Sequence, residues 1–384
     1  MEFQETDEHR ALREAVRTIT AKFGPQYYVA NAEAGTPCEE HWAAVGDAGF
    51  LGVNLPEEYG GGGAGMVELA MVLEESAAAG CPLLLLLVAV AISGEVIAEF
   101  GSAEQRAYWL PRIASGRSKV VFAITEPDAG SNSHRLATTA RRDGDDWLIN
   151  GTKYYISGVD GAEAILVVTA TGRDEVTGRG ELTLFLVPTD APGLTMTPLP
   201  VSAKLPEKQF TLFFDNVRVP AAAVVGDVGR GFQQVFHGLN PERITGAALC
   251  VGVARHVLRQ ASDYAQTRAV WDVPIATHQA VAHPLAKAYI ETELAALMTY
   301  KAAWLHDQGL PAGSESNMAK YAAAEAALAA VDAAIQTHGG NGLSTEYGLL
   351  PYWGLARLLR IAPVSREMIL NFVAQHDLAL PRSY

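Results

Sequence analysis

The stretch Lys119-Val-Val-Phe-Ala-Ile-Thr-Glu-Pro-Asp-Ala-Gly-Ser-Asn132 marks where the chain changes character. Its opening residues are largely β-branched or aromatic, the types that fit a pleated strand. Pro127, Asp128 and Gly130 then end the run in a turn. Further short runs follow: Asp146–Asn150, Thr152–Ser157, Ala164–Ala170, Glu181–Val187 and Gln209–Asp215. Turn signals separate them at Asp143-Gly144, Gly178-Arg179-Gly180 and Pro192-Gly193. The spacing predicts a compact antiparallel barrel or sandwich over residues 119–225.

Outside this block the pattern is helical. Before it, over residues 1–118, apolar positions recur at helical spacing through His9–Phe23 and Gly65–Gly80. Gly60–Gly63 lacks the strand-then-helix context of a phosphate loop and reads as a flexible turn. After it, over residues 226–384, four long helices are expected near 229–266, 279–307, 314–338 and 364–376, with Gly339-Gly340 closing the third. The expected fold class is therefore α+β: an N-terminal helical domain, a central β domain and a C-terminal four-helix bundle.

Bulk properties exclude several functions. With 384 residues and a net charge of −14, the chain lacks the basic face that phosphate backbones require, so no nucleic acid is expected as a partner. The longest apolar run, Leu83–Ile92, is too short to span a bilayer and reads as a buried helix. The start Met1–Arg10 has no apolar core, so a cytoplasmic protein is expected. Cys38, Cys81 and Cys250 are far apart, follow no metal spacing and read as buried apolar residues.

Four blocks carry chemistry: Phe122–Asn132 in the opening stretch, Asn150–Gly158, Arg268-Ala-Val-Trp271 with His278-Gln279, and Gln336–Gly342. Alone, the first is no more than a helix-to-sheet turn and Arg268 no more than a helix charge. In this order and at these distances the four resemble the acyl-CoA dehydrogenase family. Glu57–Gly65, Leu110-Pro-Arg112 and Val217–Pro220 extend the likeness over nearly the whole chain.

The resemblance implies bound FAD. Ile124 and Thr125 would meet the pyrimidine side of the flavin and Tyr155 would lie against the ring. Ile156 and Ser157 would approach the reactive N5 edge, and Ser131 would face flavin and substrate. Arg268, Trp271, His278, Gln279, Gln336, Gly339 and Gly340 resemble the part of the pattern that holds the pyrophosphate and adenosine of a neighbouring subunit's FAD. A homo-oligomer follows, a dimer or a homotetramer. Ser365 is a further cofactor contact on the same grounds. Departures are Trp271 for Phe, Asp272 for Gly, Asn132 for Asp, and a Leu205–Phe210 segment without the usual Gly-Arg-x-Ser character.

Desaturation beside a thioester needs a base for the α-proton, commonly a buried carboxylate. Most of the family carries it just after the Gly-Gly block. Here Pro363, within Ile361–Ser365, holds that position and cannot act. A minority places the base on the first long helix of the last domain, directly before an Arg. Leu239-Asn-Pro-Glu-Arg243 matches that arrangement, so Glu242 is the candidate base, with Asn240 and Arg243 beside the substrate. The plainer alternative is a solvated Glu near a helix start.

Proline also lacks the N–H that would polarise the thioester carbonyl. The acyl pocket is therefore expected to be non-standard, leaving open both the double-bond position and whether the carrier is CoA or an acyl-carrier protein. Electrons would leave to an electron-transfer flavoprotein or a similar acceptor, in lipid metabolism. Alternatives on the same fold are a flavin-dependent oxidase or monooxygenase, and a non-catalytic flavin- or acyl-binding protein. No metal is expected.

Overall fold

A computed structural model describes residues 4–173 and 180–382, apart from the His134 side chain; residues 178 and 179 of the expected Gly178–Gly180 turn lie outside that set. Seven helices come first: α1 (Asp7–Ala21), α2 (Gly24–Ala34), α3 (Glu39–Asp47), α4 (Met66–Ala78), α5 (Leu84–Val88), α6 (Glu95–Phe100) and α7 (Ala103–Ala114). Local chemistry sets their starts. Thr6 accepts the His9 N–H, and Ser102 with Gln105 forms a reciprocal capping box. Asp307, far off in sequence, accepts the Met66 and Val67 N–H groups at 2.6 and 3.0 Å. The first helical domain is thereby tied to the last.

The Leu83–Ile92 run is buried helix as expected, although a π-helical turn, Ala89–Gly94, links α5 to α6. Gly60–Gly63 is indeed a turn, but not a loosely held one. A Cβ on Gly61 would come within 2.1 Å of the Leu55 carbonyl oxygen, and one on Gly62 within 2.7 Å of that of Val53.

Eight strands follow: β1 (Val120–Ala123), β2 (Thr139–Asp143), β3 (Asp146–Ser157), β4 (Ala164–Arg173), β5 (Gly180–Pro188), β6 (Leu194–Leu199), β7 (Gln209–Pro220) and β8 (Val224–Val225). They pair in the order β6-β7-β3-β2-β4-β5-β8, with β1 added beside β4. The expected all-antiparallel arrangement needs correction: β1 runs parallel to β4, and β2 meets β4 in parallel at Thr139 and Ala170. Val120, Val121, Ile165–Val168, Phe185 and Val217 are inaccessible to solvent; because consecutive side chains of a strand point to opposite faces, β1 and β4 are covered on both sides.

The bundle contains α8 (Gly231–Thr267), a two-residue hairpin β9 (Ala269–Val270) and β10 (Val273–Pro274), α9 (Gln279–Asp307), α10 (Gly313–His338), α11 (Leu349–Ile361) and α12 (Arg366–Phe372). The expected fourth helix over 364–376 is in fact the shorter α12, continued by a π turn, and α11 before it is an additional helix. Pro351 stands in the first turn of α11, where a proline removes no needed donor. Small residues bring the long helices together. A Cβ on Gly252 of α8 would lie 2.3 Å from the Glu74 carbonyl oxygen on α4, and α10 meets its neighbours through Ala319, Ala323, Ala326, Ala327 and Ala330.

Candidate active site

A buried ion pair builds the first half of the site. Lys153 Nζ lies 2.8 Å from Glu126 Oε1 and donates to the Ile124 carbonyl at 3.0 Å; both side chains are inaccessible or nearly so. Glu126 also accepts the Ala137 and Thr138 N–H groups at 2.6 and 3.0 Å. The Tyr154 N–H donates to the Thr125 carbonyl at 2.8 Å. Ile124 and Thr125 are therefore pinned against the middle of β3. Ser131 stands outside this clamp, exposed beyond the tight Glu126–Ala129 turn.

β3 is irregular where the chemistry is expected. Its register against β7 shifts between Lys153 and Ile156, and Tyr155 takes φ +58°. Such a backbone is unusual for an aromatic residue and worth 1 kcal/mol or more of strain by order of magnitude. The bulge turns Tyr155 outward, 53% exposed and edge-on to Tyr154. Ile156 is buried. Ser157 Oγ lies 3.0 Å from Gln209 Oε1, and Gln209 Nε2 is buried with no partner among the described residues.

The second half comes from α8. Pro241 interrupts the helix ladder by lacking an N–H, and the two residues after it, Glu242 and Arg243, are buried. Arg243 Nη1 donates to Asn240 Oδ1 at 2.8 Å, while Arg243 Nε has no partner among the described residues. The alternative of a solvated Glu near a helix start does not hold. Burial pushes the Glu242 carboxyl up to about 8, with Arg243 and Lys320 pulling the other way. An apolar wall joins the two halves. Leu85 of α5 sits where a Cβ on Gly158 would be, at 2.9 Å, and Leu87 lies 3.4 Å from a Cβ placed on Gly246, one turn beyond Glu242.

The remaining expected positions gather at the far end of the bundle. Arg268 ends α8, exposed. Trp271 and Asp272 form the two-residue β9–β10 turn with φ +50° and +61°, the pattern of a type I′ hairpin. Trp271 is 83% exposed and edge-on to His278 at 5.9 Å. His278 precedes α9, Gln279 opens it, and His278 Nε2 has no partner among the described residues. Gln336 accepts the Gly339 N–H at the end of α10. Tyr264 stacks on His338 at 4.2 Å, bringing this block beside Arg268. A side chain on Gly339 or Gly340 would meet nothing within 4 Å, so their backbone is open to close approach. Among the described residues no hydrogen bond, ion pair or ring contact joins this group to Thr125, Tyr155 or Ser157.

Three acyl-CoA dehydrogenase domains match the chain in order: the N-terminal domain over residues 6–117, the middle domain over 121–217 and the C-terminal domain over 229–378. Acyl-CoA dehydrogenase FadE12 of Mycobacterium tuberculosis is 56% identical over 386 residues, covering 100% of this chain and 99% of its own. The chain belongs to the acyl-CoA dehydrogenase family. The human mitochondrial short-chain specific acyl-CoA dehydrogenase is 34% identical, with 88% of this chain and 82% of that one covered. A glutaryl-CoA dehydrogenase solved with glutaryl-CoA superimposes with TM-score 0.91 at 31% identity, covering 100% and 98%. A glutaryl-CoA dehydrogenase of Mycobacterium smegmatis solved with FADH2 gives 0.91 at 27%, covering 99% and 96%.

As a member of this family the chain is an oxidoreductase acting on CH–CH groups. Two placements add to what the sequence suggested. Ser365 caps α12 by accepting the Met368 N–H, which occupies part of its hydrogen-bonding capacity. Pro363, half-buried, comes just after Ala362, which closes α11. Sequence reading passed over Lys320, a charged residue on the alanine face of α10, and the Glu126–Lys153 clamp. The signal for both was a charge in phase with buried positions. Among the described residues no His, Cys, Asp or Glu group could hold a metal, and no helix is long and apolar enough to cross a membrane.

Proposed function

We propose that the protein desaturates an acyl-CoA thioester with Glu242 as the proton acceptor and FAD as the cofactor. The observation that carries this reading is the state of Glu242: a carboxyl inside the last domain, buried behind an apolar wall and held up to about 8, where it can exchange a proton near neutral pH. Pro363, at the position where a base is otherwise expected, can take no proton.

The residues fit a flavin. Tyr155 offers an exposed ring on a strained bulge, Gln209 Nε2 is an unsatisfied donor next to Ser157, and Gly339 and Gly340 leave open backbone for a phosphate. Ile124, Thr125, Tyr155, Ile156 and Ser157 would hold the ring. Arg268, Trp271, His278, Gln279, Gln336 and the two glycines would hold the phosphates and adenosine of a partner's cofactor. FAD supplies the acceptor for two electrons and the second hydrogen.

The chain's own groups do the rest. Glu242 Oε receives the α-proton; Asn240 and Arg243 order the polar edge; Leu85 and Leu87 exclude water, which strengthens the interactions inside. Assembly into an oligomer fits an exposed stripe on α9, where Ile290, Leu294, Leu297 and Trp304 recur at helical spacing, each more than half exposed. An electron-transfer flavoprotein is the proposed acceptor, in cytoplasmic lipid metabolism.

Anaerobic titration of the yellow protein with a panel of acyl-CoA and acyl-carrier-protein thioesters tests the reading, with flavin bleaching and product mass followed together. Bleaching by an acyl-CoA with loss of two mass units is expected. No bleaching by any thioester would leave only a flavin- or acyl-binding role.

A further inference from the structure

Lys320 has no place in the reading above, and its surroundings are unusual. It sits on the buried face of α10, 2% exposed, among Ala319, Ala323 and Ala324. Its Nζ donates to the Val364 carbonyl at 2.6 Å and to the Arg360 carbonyl at 3.3 Å. These two carbonyls bracket Ile361, Ala362 and Pro363, the segment that carries no base here. A neutral amide could donate to a carbonyl at far smaller desolvation cost, so two backbone acceptors alone do not account for a buried cation.

The charges around it supply a reason. The buried Cys250 and then Glu242 and Arg243 on α8, and Glu325 on α10 itself, are the groups whose charge acts on Lys320. Glu325 is already engaged, 2.6 Å from Arg360 Nε and 3.3 Å from Arg366 Nε. The apolar run Leu83–Ile92 brings no charge. Arg243 is bonded to Asn240 on its own helix. Two cations act on Glu242: Arg243 beside it on α8 and, from the opposing α10, Lys320, which is anchored to the turn after α11.

We propose that Lys320 is a positioning residue of the site: its ammonium clamps the Arg360–Val364 segment and, from α10, favours the charged, proton-accepting form of Glu242 on α8. This rests on Glu242 being the base. Burial lowers the Lys320 amine to about 8, and both groups therefore respond to pH in the same range. The cation keeps the carboxyl from rising further.

The test uses the FAD-loaded protein with Lys320→Met, which removes donor and charge, and Lys320→Gln, which keeps a donor and removes the charge. Two readings are taken: the acid limb of kcat/KM against pH, and infrared titration of the carboxylic C=O band that disappears in Glu242→Gln. Both variants should move the Glu242 midpoint upward by about one pH unit or more, the size expected for losing a close opposite charge. Lys320→Gln should melt closer to wild type than Lys320→Met. An infrared midpoint unmoved in both variants overturns the proposal, as does a pH-independent loss of rate. If Glu242→Gln turns over normally, the base assignment falls, and the infrared titration still decides whether Lys320 governs Glu242.

Discussion

Replacing Glu242 with Gln should give a protein that is more stable and nearly inactive. A carboxyl raised from 4.5 to about 8 holds its proton more tightly folded than unfolded. Between those values unfolding releases the proton, so raising the pH favours unfolding. The contribution is whole below about pH 4.5 and gone above about 8. At pH 7 the unfolded carboxyl lies about 2.5 pH units beyond its midpoint, and at 1.36 kcal/mol per unit the wild type has lost about 3 kcal/mol relative to acid conditions. By pH 9 the loss approaches about 5 kcal/mol, an upper bound because ionisation admits water. Glutamine, nearly the same shape and neutral, has no such loss. Urea unfolding of both proteins at about pH 5, 7 and 9 should show a stability gap that grows from pH 5 and levels above 8. The same substitution should lower kcat by about 100-fold or more. A gap flat across that range, or turnover within a few-fold of wild type, would refute the reasoning.

Lys153→Met leaves Glu126 buried without its cation, which costs about 3–5 kcal/mol in comparable pairs. Weakened FAD retention on gel filtration, along with a lower melting temperature, is the expected result; undiminished FAD affinity would mean that the clamp does not shape the flavin seat. Pro363→Gly restores a backbone N–H beside the site. If that donor is what the thioester carbonyl lacks, kcat/KM for a plain saturated acyl-CoA should rise about 100-fold, read by product mass and double-bond position, and no change in either removes the idea of a missing donor. Leu294→Glu with Leu297→Glu places two charges on the apolar stripe of α9 and should shift the sedimentation coefficient toward a monomer; an unchanged mass would show that this face does not join subunits.

The fold class was readable because each region repeats one period over many residues. The runs at Ala164–Ala170 and Glu181–Val187 read as strands and pair as β4 and β5. Direction of pairing was not readable. Val120–Ala123 has the same composition whether it runs with or against β4, and it is the connection by way of β2 and β3 that brings the two strands together in parallel. Leu349–Ile361 was missed because Pro351 and Gly354 resemble breakers, although a proline in a first turn is no obstacle. Within the site, the residue types of Tyr155 and Ser157 were legible, but not the bulge that sets φ +58° at Tyr155. The partners of Lys320 lie 40 and 44 residues along the chain. No local pattern reveals such a pairing, only the oddity of a lysine in an alanine face.

The N-terminal domain contributes no candidate base or flavin contact, yet the chemistry depends on how it docks. Leu85 closes on Gly158 beside Ser157, and Leu87 closes on Gly246 beyond Glu242. Both leucines are buried, and burial is what raises the Glu242 carboxyl. The docking is itself anchored remotely, where Asp307 caps α4 through Met66 and Val67. Loosening that cap would admit water at the apolar wall and let Glu242 relax toward an ordinary carboxylate. Its basicity would then fall in step with its burial, although no atom near the substrate had changed.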